Sequence, residues 1–200
     1  MQLRFIAFFA LLPCWQHTVW PDGTSHIQQP AVALQRVAAL QAPAREQIDW
    51  RSRRLLTWND FKAEPVTAAP NAALTSTSIL INYKYGSSGF SYHLQCVFYP
   101  GKSWTKVSSG RILAHEQGHF DITQLYTRKM HQALAAYKPR DGKVEEDVTR
   151  IYKEIADQQA VFQKQYDTET NFSRDYETQA KWLEKIAAVL KETEELKNYP

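Results

Sequence analysis

The sequence predicts an α+β fold in which a small antiparallel sheet, a hairpin over about 74–99, packs with three long helices, one of them carrying an HExxH string. Three observations predict it. Residues 75–98 alternate with period 2 around a Gly-Ser-Ser-Gly turn, and three later stretches carry helical periodicity. A chain of 200 residues with 44% apolar and 12% aromatic content can bury one good core, so a single folded body is expected.

The first element is not part of that body. Arg4 precedes an unbroken apolar run from Phe5 to Leu12, too short to span a bilayer as a helix. Residues 1–14 therefore read as a signal peptide, and the protein is expected to be exported, either periplasmic, secreted or associated with the outer membrane. Leu11-Leu12-Pro13-Cys14 resembles a lipobox, which would give a lipid anchor at Cys14, although Pro13 departs from the small residue wanted before the cut. Residues 15–54 carry Pro21, Pro30 and Pro43 without a sustained pattern, and read as a tether ending in the solvated cluster Arg51, Arg53 and Arg54. The domain is expected over residues 55–200. Cys96, the single cysteine beyond Cys14, has no partner for an intramolecular disulfide and falls in an apolar alternation. The formal charge of +3, without a long basic run, argues against nucleic acid as a partner.

Leu56-Thr57-Trp58-Asn59-Asp60-Phe61 reads as a short strand or turn with two core aromatics. In the hairpin, Thr75, Thr77, Ile79, Ile81, Tyr83 and Tyr85 share one face. Phe90, Tyr92, Leu94, Cys96 and Phe98 share a face of the return strand, and His93 lies on the polar side. Ser108 or Ser109 caps a helix running to about Tyr137, where Pro139 and Asp141-Gly142 stop it. A second helix runs from Val144 to about Thr168 with the stripe Val144, Val148, Ile151, Ile155, Phe162 and Tyr166. A third places Tyr176, Ala180, Leu183, Ala187 and Leu190 on one stripe.

Chemistry is concentrated at His115-Glu116-Gln117-Gly118-His119. Positions i and i+4 of a helix share a face, so both histidines can direct a ring nitrogen at one Zn2+ ion. Glu116 is offset enough to miss the metal and close enough to take a proton from a water there, the part of a hydrolase's general base. Gly118 is a poor helix former, so something is expected to pack close to the backbone there. His131, more than three turns on, reads as solvated. Catalytic zinc takes three protein ligands. The third is expected from Asp167 or, as second choice, Glu169, at the junction of the second and third helices. Tyr166 is a candidate donor to a developing oxyanion. Asp121 could orient a ligand or pair with a surface Arg or Lys.

Leu56-Thr57-Trp58-Asn59-Asp60-Phe61, Ser103-Trp104, Leu113-Ala114-His115-Glu116-Gln117-Gly118-His119-Phe120-Asp121-Ile122, and Tyr166-Asp167 with Thr170 and Gln179 to Trp182 together resemble a bacterial domain-of-unknown-function family of predicted secreted zinc-dependent proteases, over about residues 55–190. The resemblance implies an exported, metal-dependent peptidase acting on a peptide or a cell-wall amide. It also implies a histidine as third ligand where this chain has Phe172. Either Asp167 or Glu169 completes the site, or the chain is a non-catalytic envelope binding or scaffold protein on the same fold. A helical interaction domain is a third reading, from the near-heptad run in 144–166.

Overall fold

β3 (Thr77–Gly86) and β4 (Gly89–Phe98) form the hairpin in the expected register, with Ile79 opposite Cys96, Ile81 opposite Leu94 and Tyr83 opposite Tyr92. The two-residue turn ends on Gly89, whose φ of 85° lies in the left-handed region that glycine enters without a Cβ clash. This is a computed structural model, and it describes residues 46–200. The export segment 1–14, Cys14 and most of the tether 15–54 lie outside the described residues. Among the described residues no helix is long and apolar enough to cross a membrane.

The folded body begins before residue 55. β1 (Ile48–Asp49) adds to the outer edge of β4, giving a three-stranded antiparallel sheet in the order β1-β4-β3. Ile48 is buried, and Trp50 donates its indole N–H to Asp121 at 2.7 Å. The three arginines expected at a solvated linker end are exposed but engaged. Arg53 pairs with Asp60 and Arg54 with Asp121, while Arg51 reaches the carbonyl of Tyr199. A two-residue strand is too short to show a period, which is why the sequence reads as linker there.

The Leu56–Phe61 segment is a turn of 3-10 helix over Trp58–Asp60. Asp60 holds it by accepting from the backbone N–H of Thr57 at 2.7 Å and from its hydroxyl at 3.0 Å. The aromatics then run inward: Trp58 to Phe61 at 4.9 Å, Phe61 to Phe98 at 5.2 Å, Phe98 to Phe120 at 5.9 Å. A second, two-stranded sheet pairs β2 (Ala73–Leu74) with β5 (Trp104–Thr105).

The three helices are α1 (Gly110–Ala136), α2 (Val144–Glu169) and α3 (Tyr176–Glu192). Every residue of α1 from Phe120 to Arg128 is buried, because the hairpin covers one side of it and α2 and α3 the others. Some of the polar groups on that central helix find partners within the fold. Thr127 donates to the carbonyl of Thr123 at 2.9 Å, and Gln124 accepts the Tyr199 hydroxyl at 3.0 Å. On α2 the expected stripe faces inward, with Val144, Val148 and Tyr166 buried. On α3 the buried face is Gln179, Trp182, Ile186 and Leu190, which shares only Leu190 with the expected stripe. Trp182 and Ile186 bury more apolar area than the alanines would, and Tyr176 lies exposed under Arg111, 3.8 Å from its ring centroid. His131 is half-buried, with Nδ1 at 2.8 Å from the Tyr92 hydroxyl, instead of solvated.

Candidate metal centre

α1 carries the HExxH string where the buried part of the helix begins. His115 and Glu116 are buried and His119 is half-buried. α2 crosses α1 at this point, and the crossing is close because residue 118 has no side chain. A Cβ there would meet the Tyr166 hydroxyl at 2.5 Å and its ring carbon Cζ at 2.8 Å. Tyr166 lies nearly parallel to the His115 ring, 4.5 Å between centroids, and donates its hydroxyl to the His115 carbonyl at 3.2 Å. Fixing Tyr166 against α1 also fixes the residue that follows it.

That residue is Asp167. Its Oδ1 lies 3.1 Å from His115 Nε2 and 3.0 Å from His119 Nε2, so one carboxylate oxygen meets both rings. The three ligand atoms lie within 4.8 Å of one another. Donors about 2.0–2.1 Å from a four-coordinate zinc stand roughly 3.3 Å apart, so the spacing suits a common cation.

Hydrogen bonding defines the state of the His119 ring. Gln163 donates its amide N–H to the His119 carbonyl at 3.0 Å, which leaves its Oε1 to accept from His119 Nδ1 at 2.5 Å. Neutral His119 then carries its proton on Nδ1 and directs an Nε2 lone pair at Asp167. Two lone pairs facing each other at 3.0 Å require a positive charge between them, either a proton or a metal ion. Burial alone would lower the His119 pKa, but the Asp167 carboxylate, with Glu116 and Gln163, holds it above the usual value. Burial alone would raise Asp167, and the two histidines instead hold it well below the usual carboxylate range. His115 Nδ1 is buried without a hydrogen-bond partner.

The cluster opens into a cleft of about 640 Å³, lined also by Glu116, Gln159 and the run Pro70–Thr77. Among the described residues β2 has one strand neighbour, β5, and both of its residues line this wall. Thr75 ties the strand to the helix by donating to the Glu116 carbonyl at 3.3 Å. The Glu116 side chain lines the cleft and makes no hydrogen bond or ion pair among the described residues.

Of the other expected site residues, Glu169 points elsewhere. It is exposed and accepts from Gln165 at 2.7 Å and from the Trp182 indole at 2.8 Å. Tyr166 is fully buried, and its hydroxyl is spent on the His115 carbonyl rather than offered to the cleft. Burial, reinforced by Glu116 and Asp167, pushes its pKa far up. Asp121 orients neither histidine. It accepts from Trp50, Arg54 and Gln117, holding the segment 50–54 against α1. Phe172 stands exposed at the cleft, in a turn where Asn171, Phe172 and Ser173 have φ of 48°, 51° and 69°. Gln163 was not singled out in the sequence. Its signal is its place four residues before Asp167, on the same face of α2.

Neither a curated protein nor a solved structure gives a match to this chain. Residues 100–175, which hold α1, α2, both histidines, Glu116 and Asp167, match the family described as Bacterial protein of unknown function (DUF922).

Proposed function

We propose that the protein is an exported zinc-dependent amide hydrolase, most simply a peptidase, with His115, His119 and Asp167 as the metal ligands and Glu116 as the general base. The observation that carries this reading is the single Asp167 oxygen lying 3.0–3.1 Å from both histidine nitrogens. Zinc held there would supply Lewis acidity, bringing a water's pKa down towards neutrality. Glu116 takes the proton of the attacking water as its oxygen joins the amide carbon. It returns that proton to the amide nitrogen as the C–N bond breaks, so the products are a carboxylic acid and an amine. Gln163 holds the His119 ring in its tautomer, and Tyr166 holds α2 against α1. β2 lines the cleft with one strand neighbour among the described residues, and such a strand suits an extended peptide, which can add to it as a further strand. Asp167 at the third position weighs against the non-catalytic scaffold reading, whose motive was Phe172.

Metal analysis and turnover test the proposal together. Protein dialysed against zinc at neutral pH should hold about one equivalent, and His119→Ala or Asp167→Ala less than about half of that. Glu169→Ala should bind as the parent does. Glu116→Gln should keep its zinc and lose roughly 10²- to 10⁴-fold in hydrolysis of a mixed peptide library. Less than about half an equivalent in the parent, unchanged by His119→Ala, would sink the proposal.

A further inference from the structure

Three elements each present one large apolar side chain to the candidate metal cleft. β2 contributes Leu74, α1 contributes Ile112, and the turn between α2 and α3 contributes Phe172. Leu74 is 38% exposed and Phe172 51% exposed, so both keep apolar surface in water that the fold does not use. Two of the three are tied to metal-ligand candidates. Ile112 lies three residues before His115 and therefore one turn away on the same helix face. Phe172 donates its backbone N–H to the Asp167 carbonyl at 2.8 Å, so its position follows that of the ligand.

The turn that carries Phe172 is stabilised at some cost. Asn171, Phe172 and Ser173 all have positive φ, and none is glycine. A left-handed backbone at a bulky residue is strained, and such a conformation persists only where its surroundings enforce it. Here the Asp175 N–H to Thr170 carbonyl bond, at 2.9 Å, and the Thr170 hydroxyl on the Tyr166 carbonyl, at 2.8 Å, close the turn. The result is an aromatic ring held outside the core, beside the reacting centre.

We propose that Phe172, with Ile112 and Leu74, is the specificity-determining contact of the cleft and selects substrates carrying a large apolar side chain next to the scissile amide. The inference rests on the hydrolase reading given above. A substrate side chain of this kind covers the exposed ring and aliphatic surface, while a small or charged one leaves that surface wet. Pocket contacts of this sort discriminate by roughly 10- to 200-fold.

The test uses zinc-loaded full-length protein and two zinc-chelating probes, the hydroxamates of acetyl-phenylalanine and acetyl-alanine, with affinities read by calorimetry. The phenylalanine probe should bind at least about tenfold tighter in the parent. Phe172→Asn, which tolerates the left-handed backbone and removes the ring, should bring the ratio to within about twofold. Phe172→Leu should keep most of it, and zinc content should be unchanged in both. Ile112→Ala, away from the turn, should lower the ratio independently. In parallel, library cleavage by the parent should show a large apolar residue beside the cut, and Phe172→Asn should lose that preference. A ratio near one in the parent, or one that Phe172→Asn leaves intact, overturns the specificity assignment while leaving the hydrolase reading standing. If neither probe binds zinc-loaded parent and no peptide is cut, both fall.

Discussion

The Tyr166 hydroxyl stands 2.5 Å from the point where a Cβ on Gly118 would lie. The glycine inside the HExxH string is therefore a packing residue for α2, not a concession to flexibility. Gly118→Ala would gain about 1 kcal/mol in helix propensity. Against this, the new methyl meets a fully buried ring that is stacked on His115 and bonded to its carbonyl, and overpacking of that kind costs about 1–3 kcal/mol. The ring cannot tilt without breaking both contacts, so the upper end applies. A net loss of about 2 kcal/mol is expected in urea unfolding. Gly118→Ala with Tyr166→Phe should recover only part, because the ring carbon at 2.8 Å remains. A Gly118→Ala protein as stable as the parent would contradict this account.

Gln163 should matter for metal affinity more than for folding. Its Oε1 accepts from His119 Nδ1 and its amide N–H donates to the His119 carbonyl at 3.0 Å, so ring orientation and tautomer both depend on it. Partners of this kind change metal affinity by about 10- to 100-fold when removed. Gln163→Leu is expected to weaken zinc binding by that factor in a chelator competition, with unfolding of the metal-free protein little altered. Equal affinity in the two proteins would show that the ring is held by packing alone.

Asp60 gives the fold an acid-sensitive joint. Burial alone would raise its pKa, but the Arg53 guanidinium and the Thr57 N–H and hydroxyl outweigh it and lower it below 3.8. A carboxylate depressed in the folded state contributes stability above its unfolded value, and that contribution disappears as pH falls through the folded value. Asp60→Asn should therefore be less stable than the parent at neutral pH. The difference should shrink as the parent is taken below about pH 4. Stability measured by urea unfolding at several pH values checks this. Parallel pH profiles for the two proteins would rule the joint out.

Elements with a period or a motif were legible in the sequence. The hairpin, the three helices and the HExxH face emerge from spacing alone, because each is long enough for its period to repeat. β1, β2 and β5 are two residues each, and no alternation can be read from two residues. The third candidate ligand was legible to within two positions. Asp167 and Glu169 stand roughly 200° apart around a helix, so only one can face His115 and His119. Which one does so depends on how Tyr166 seats α2, a tertiary fact. The buried face of α3 shifted for a similar reason, since Trp182 and Ile186 outweigh smaller residues once a surface is there to cover. Tyr166 drew attention as a hydroxyl near the site, but spacing cannot tell that the His115 carbonyl would take it up.

β1 pairs with β4 at its first two described contacts, and Trp50 and Arg54 then fasten to Asp121, two positions beyond His119 on the same helix. Mechanical load applied to the chain at residue 46 is thus borne in shear by the sheet edge and next by α1 itself. A pull on residue 46 would reach the sheet edge first and the histidines' own helix directly after it.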